Sequence, residues 1–229
     1  MAKFWGPISS DDGTPRPRRL LLARHGTTDW NARHVWQGHR DIPLNDLGRA
    51  QARTLAERLA TEQIDALWTS DLSRATETAE IVGARIGLDP CVTAGLREID
   101  VGAWEGLSFA DVERTEPETV AALARGEDLP RGGTGERIAE FQNRVVAALD
   151  EAAATAPNGT LLLVVHGGLI KAIVAYLLEI PTRNIGRLTA GQNASLSEIR
   201  FSATGPQLVR LNESHHTDAV AGPAPHDAA

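Results

Sequence analysis

The side chains best placed to do chemistry in this chain are two histidines, each closing an apolar run. Arg18-Arg19-Leu20-Leu21-Leu22-Ala23-Arg24-His25-Gly26 turns polar at Arg24, and Leu161-Leu162-Leu163-Val164-Val165-His166-Gly167-Gly168 turns polar at His166. A short apolar run that stops at a glycine reads as a buried strand ending at a sheet edge. A third such run, Ala66-Leu67-Trp68-Thr69-Ser70, is followed by Arg74, and a stretch resembling no regular element, Leu96 to Gly106, offers Glu98. In open α/β sheets ligands bind outside the carboxyl ends of the strands. If these three strands are neighbours, two imidazoles, two guanidiniums and a carboxylate converge on one pocket. Guanidinium forks match phosphate oxygens, and a helix N-terminus such as the one after Gly167 attracts anions, so that pocket suits a phosphoryl group. Each residue alone has a plainer reading. A histidine after a strand is more often a hydrogen-bonded loop residue, Arg74 can be a solvated helix charge, Glu98 a loop cap or ion-pair partner, and Asn31 a helix cap.

The elements that must position these residues follow from periodicity. Helical patterns cover Leu47 to about Thr61, with Asn45 or Asp46 as N-cap, Leu72 to Ile86 closed by Gly87, Glu136 to Ala154, and the stretch from Gly168 to about Leu178. Val92 to Ala94 reads as a short strand, and Ser195 to Phe201 and Gln207 to Leu211 alternate as strands near a sheet edge. Strands alternating with helices predict a three-layer α/β/α domain with a mostly parallel central sheet. Residues 104–135 mix short helical stretches with Pro117, Pro130 and a glycine-rich run, and read as an insertion covering the site. The domain is expected over 18–216, between flexible tails at 1–17 and 217–229 that are rich in Pro, Gly, Ala and Asp.

Composition narrows the function classes. A chain of 229 residues with 42% hydrophobic and 23% charged residues is an ordinary globular protein, long enough for one sizeable core. Its net charge of -7 argues against a nucleic-acid partner, so any anion site must be a local cluster of Arg and His. Cys91 is the only cysteine, which excludes an internal disulfide and a cysteine metal cluster. No apolar run is long enough to cross a bilayer and the N-terminus lacks a signal-peptide core, so the expectation is a cytoplasmic enzyme without a membrane partner. Asn193-Ala194-Ser195 fits a glycosylation acceptor but in that setting is a chance match, and His215 and His216 read as structural or incidental. His34 and His39 are left unassigned near the pocket rim.

Arg24-His25-Gly26, Thr28, Asn31, Gln37-Gly38, Asp41-Ile42-Pro43-Leu44, Gly48, Ser70 with Arg74-Ala75 and Thr78-Ala79, Glu98, Gly102, Trp104-Glu105-Gly106, Gly135-Glu136 and His166-Gly167-Gly168 together resemble the histidine phosphatase superfamily, with its phosphoglycerate-mutase-like fold. The match runs from about Arg19 to about His216. The resemblance implies a phosphomonoesterase acting on a small-molecule phosphate ester through phosphohistidine, with neither metal nor cofactor, and leaves a homodimer open. His25 would be the nucleophile. Arg24, Arg74 and His166 would hold the phosphate oxygens, helped by Asn31 and the backbone of Gly167, and Glu98 would protonate the leaving oxygen. Elementary chemistry agrees: an imidazole attacks only when neutral, and two nearby guanidiniums disfavour its protonation. Two positions depart from the family, Thr27 where Glu is frequent and Arg137 where Ser is usual after Gly135-Glu136. Together with Gln37 and Gly38 they are expected to bear on substrate selectivity. An inward Arg137 would offer a fork for a second anion, hence a carboxylated phosphate ester such as glucosyl-3-phosphoglycerate. Thr69-Ser70-Asp71-Leu72, the Gly-Gly-Leu-Ile after His166 and Gln192-Asn193-Ala194-Ser195 resemble the actinobacterial phosphatases of that ester. A cofactor-dependent phosphoglycerate mutase is the nearest alternative. A non-catalytic phospho-ligand or protein-binding module is the alternative of another class, although none of Arg24, His25, Arg74, Glu98 or His166 is missing.

Overall fold

The computed structural model describes residues 16–220. Six strands, β1 (Arg19–Arg24), β2 (Ala66–Ser70), β3 (Cys91–Thr93), β4 (Thr160–Val165), β5 (Leu196–Ser202) and β6 (Gly205–Glu213), form one sheet in the order β3-β2-β4-β1-β5-β6. The first four in that order are parallel, β5 runs antiparallel to β1, and β6 antiparallel to β5. The helices are α1 (Asp29–Ala32), α2 (Asp46–Leu59), α3 (Ser73–Ile86), α4 (Phe109–Thr115), α5 (Pro117–Ala124), α6 (Ile138–Ala153) and α7 (Gly167–Leu177). This is the three-layer architecture expected from the alternation of strands and helices.

The continuous apolar runs exist because both faces of the sheet are covered. Side chains alternate across a strand, so Leu20 and Leu22 of β1 with Leu161 and Leu163 of β4 share one core with Phe141 and Val145 of α6 and Ile170 and Ile173 of α7. Leu21 and Ala23 with Leu162 and Val164 share the other with Leu55 and Leu59 of α2 and Val82 of α3. Every residue of β4 is buried, and fully burying a leucine contributes about 1.5–3 kcal/mol. The register levels the strand ends: Arg24 lies opposite Val165, and Thr69 opposite Val164. His25, Ser70 and His166 therefore emerge side by side.

Asn45 is the N-cap of α2, its side chain accepting from the Gly48 amide, and Gly87 closes α3 in the left-handed region at φ 77°. The expected tails mostly fall outside the described residues. Within them Arg16 and Thr217 are buried, and Thr217 ends a short 3-10 turn from His215. Among the described residues no helix is long and apolar enough to cross a membrane.

Candidate active site

His25 leaves the end of β1 almost fully buried, with its amide donating to Val165 O at 2.9 Å. Its Nδ1 lies 2.7 Å from Gly26 O. A carbonyl can only accept, so Nδ1 carries the proton and Nε2 keeps its lone pair. The His166 ring stands edge-on with its centroid 5.2 Å away, fully buried, and neither of its nitrogens has a hydrogen-bond partner. Burial, then the charges of Arg74 and Arg24, push the His25 imidazole well below its ordinary pKa. Burial pushes His166 the same way, assisted by Arg74, His25, Arg24 and His39. Both rings are neutral at physiological pH.

Arg74 faces into the protein from the first turn of α3 and is only 1% exposed, so it is not a solvated surface charge. Its two terminal nitrogens donate to Gly38 O and Arg40 O, both at 2.9 Å, while Nε has no partner. Burial lowers its pKa to about 10, which leaves it charged. Arg24 donates to Gly191 O, and a Cβ added at Gly167, the first residue of α7, would lie 3.4 Å from the Arg24 guanidinium carbon, so the start of α7 lies beside that charge.

Glu98 reaches the same helix start. One carboxylate oxygen accepts from Gly168 N at 2.9 Å and the other from Ile99 N at 2.9 Å. A Cβ at position 168 would overlap that carboxylate, which is the physical reason for glycine there. Asn31 takes part in capping α1, whose N-cap is Thr28. Its Oδ1 accepts from the Thr28 amide at 3.1 Å and from Asn193 Nδ2 at 3.3 Å, which leaves its amide nitrogen as the group to offer a ligand.

The residues expected to bear on selectivity have these surroundings. Thr27 is tied to Gln51, its amide and hydroxyl donating to Gln51 Oε1 at 2.9 and 2.8 Å, so it fastens the loop to α2. Gln37 accepts from the Thr28 hydroxyl at 3.1 Å, and Gly38 presents the carbonyl that aims Arg74. Arg137 is exposed and bonds the Asp128 carbonyl; α6 starts only at Ile138, because the Asp128 carboxylate accepts from the Ile138 and Ala139 amides and caps the helix there. Arg137 is therefore solvent-exposed, with its guanidinium held at Asp128.

Residues of 104–135, Leu123, Asp128 and Arg131 among them, line a cavity together with Gly168. About 250 Å³ is enclosed by Trp36, Leu123, Phe141 and Ile185, with Arg131 and Lys171 on its wall. Arg131, not Arg137, is the arginine of the glycine-rich run that enters it. Sequence reading also missed Asn193. This buried amide donates to His25 O at 3.0 Å and Gly26 O at 3.3 Å, pinning the backbone of that histidine from a loop 168 positions away. Gln192-Asn193-Ala194-Ser195 stood out only as a family word. His216 backs that loop, its Nε2 lying 2.8 Å from Ala194 O.

A glucosyl-3-phosphoglycerate phosphatase from Mycobacterium tuberculosis is 39% identical over 193 residues, 80% of this chain and 86% of that protein. Phosphoglycerate mutase-like protein 4 of Arabidopsis thaliana is 37% identical over 157 residues, 67% of this chain and 68% of its own. A solved mycobacterial glucosyl-3-phosphoglycerate phosphatase in complex with VO3 superposes with a TM-score of 0.79 at 35% identity, covering 86% of this chain and all of the other (100%). The family model of the histidine phosphatase superfamily (branch 1) matches residues 20–214, from the first strand to the end of the sheet, and the chain belongs to that superfamily.

Proposed function

We propose that this phosphatase is a metal-independent phosphomonoesterase in which His25 carries the phosphoryl group and whose substrate bears a carboxylate. The observation that supports it is the pair His25 and His166. One buried neutral ring is held with Nε2 free to attack, and beside it stands a second ring with both nitrogens unsatisfied, next to Arg74 Nε in the same state. Buried polar atoms without partners are rare, and here they point to a ligand that accepts hydrogen bonds.

In the first step the His25 Nε2 lone pair forms the N–P bond as the ester P–O bond breaks. Arg24, Arg74 and His166 hold the non-bridging oxygens and stabilise the charge spread over them. The leaving alkoxide takes a proton from Glu98, whose carboxyl group meets the Gly168 amide at the start of α7, two residues after His166. In the second step the Glu98 carboxylate receives a proton from water, whose oxygen attacks phosphorus, and the N–P bond breaks to release inorganic phosphate. The carboxylate preference draws on the relatives named for glucosyl-3-phosphoglycerate and on Arg131 and Lys171 in the cavity beside Gly168. Rapid acid quenching during turnover of labelled ester should trap an acid-labile phosphoryl group on the wild type and none on His25→Ala, with the rate unchanged in EDTA. An unlabelled enzyme, full activity of the variant, or transfer to an added hydroxyl instead of water would each replace this reading.

A further inference from the structure

Glu98 sits in a stretch without ladder or helix, between a 3-10 turn at Ala94–Leu96 and another at Gly102–Trp104, so secondary structure does not fix where its carboxylate points. A side chain from α6 does. Arg144 donates through one terminal nitrogen to Gly95 O and Arg97 O, both at 3.0 Å, and through the other to Glu98 O at 3.1 Å. Its remaining two N–H groups grip Glu136, at 2.8 and 2.7 Å. All five guanidinium donors are thus committed. Glu136 in turn accepts from the Asp100 amide at 2.9 Å, while its own amide donates to Asp100 O at 2.9 Å. From the opposite side His39 Nε2 reaches Glu98 O at 2.9 Å, and the His39 amide is anchored on Glu105 at 2.8 Å.

The Glu98 backbone is therefore held by carbonyls gathered on one arginine, and its side chain is left facing the Gly168 amide. We propose that the Arg144–Glu136 pair, with His39, is the positioning clamp of the proton donor: it sets the Glu98 carboxylate at the leaving-group oxygen without touching substrate. The assignment rests on the reading of Glu98 as proton donor. Burial of Glu136 raises its pKa, and the Arg144 fork and the Asp100 amide outweigh that and bring it below its ordinary value, so the pair is ionised while the enzyme works. Lysine cannot replace Arg144, because one ammonium cannot span three carbonyls and a carboxylate at once.

A displaced general acid has a signature that general destabilisation lacks. Misplacement by about 1 Å can cost on the order of a hundredfold, and the loss grows with the basicity of the leaving group. Arg144→Lys and Arg144→Gln are compared with wild type on p-nitrophenyl phosphate and on an alkyl phosphate, with Glu98→Gln run in parallel. The expected result is a kcat/KM loss of about tenfold to a hundredfold on the alkyl ester against about two- to threefold on p-nitrophenyl phosphate, a steeper leaving-group dependence shared with Glu98→Gln. Equal losses on both substrates, or none, while Glu98→Gln discriminates, overturn the clamp and leave the proton donor standing. Absence of discrimination in Glu98→Gln overturns the proton donor and the clamp with it. If the Arg144 variants fail to fold, Glu136→Gln, which keeps an acceptor for Arg144 but not the charge, should show a smaller loss with the same substrate bias; an unbiased loss overturns the proposal.

Discussion

An imidazole can accept a phosphoryl group when its charge is suppressed and its lone pair aimed, and in His25, the nucleophile of the proposed reaction, separate neighbours do each job. Burial between Arg24 and Arg74 suppresses the proton, and Gly26 O fixes the tautomer. The same separation applies to the proposed selectivity, where the sequence suggests Arg137 and the proposed carboxylate contact lies with Arg131 and Lys171 of the cavity. Arg137 is turned outward by a carbonyl contact with Asp128, a partner nine positions away that no local pattern signals. Arg131, which lines the cavity, donates to Leu129 O at 2.8 Å. A hydrogen bond to a charged group contributes about 1.5–3 kcal/mol. Lys171→Gln is therefore expected to lower kcat/KM for 3-phosphoglycerate about tenfold to a hundredfold while p-nitrophenyl phosphate changes about twofold or less. Arg137→Ser should leave the ratio of the two substrates unchanged. A shift of that ratio by Arg137→Ser and not by Lys171→Gln would return the anion contact to position 137.

At the scale of elements, the loop after β1 keeps its shape because α2 abuts it through two glycines. A Cβ on Gly26 would collide with Gly48 O, and one on Gly48 with the backbone of Thr27. Neither contact can be relieved by a rotamer change, since the obstacle is main chain in both cases. Gly48→Ala should cost about 1–3 kcal/mol, read as a Tm drop of roughly 2–4 °C per kcal/mol, and should lower kcat by moving the segment that carries His25. Arg53→Ala, on the exposed side of the same helix, should do neither, and similar behaviour of the two variants would refute the packing argument. The elements themselves were legible where the determinants are local. The continuous apolar run Leu20 to Ala23, the cap at Asn45 and the left-handed Gly87 are all written within a few residues of where they act. The start of α6 was read two residues early because Glu136 is drawn off to Arg144 and the cap comes from distant Asp128. Asn193 and Arg144 escaped for the same reason: their partners are far away in the chain, and nothing near them in sequence marks the role.

At the scale of the molecule, an acidic chain with net charge -7 buries a cationic site whose two histidines are neutral, and this links stability to pH. Unfolded, each imidazole titrates near about 6.5; folded, each binds its proton only at much lower pH. The folded pKa is depressed, so the unfolded chain binds more protons below about pH 6.5, and stability falls as pH falls through that window. The stabilisation is complete above it. Each histidine adds a slope of at most about 1.4 kcal/mol per pH unit. A second window lies lower. Burial raises the Glu198 carboxyl, but Arg19, Arg200 and Arg210 bring it to about 2, so its contribution is lost only as pH drops below about 4.5. Between about pH 6.5 and 5 the decline should therefore report the imidazoles. His216, also lowered by burial, is present in every variant and cancels in the comparison. Urea unfolding in phosphate-free buffer should show wild type losing stability across that interval and His166→Gln losing it less steeply, whatever the absolute cost of the substitution. The same slope in both proteins would mean that His166 is not held neutral in the folded protein, and its buried, unsatisfied ring would then face phosphate as a cation rather than as a neutral donor.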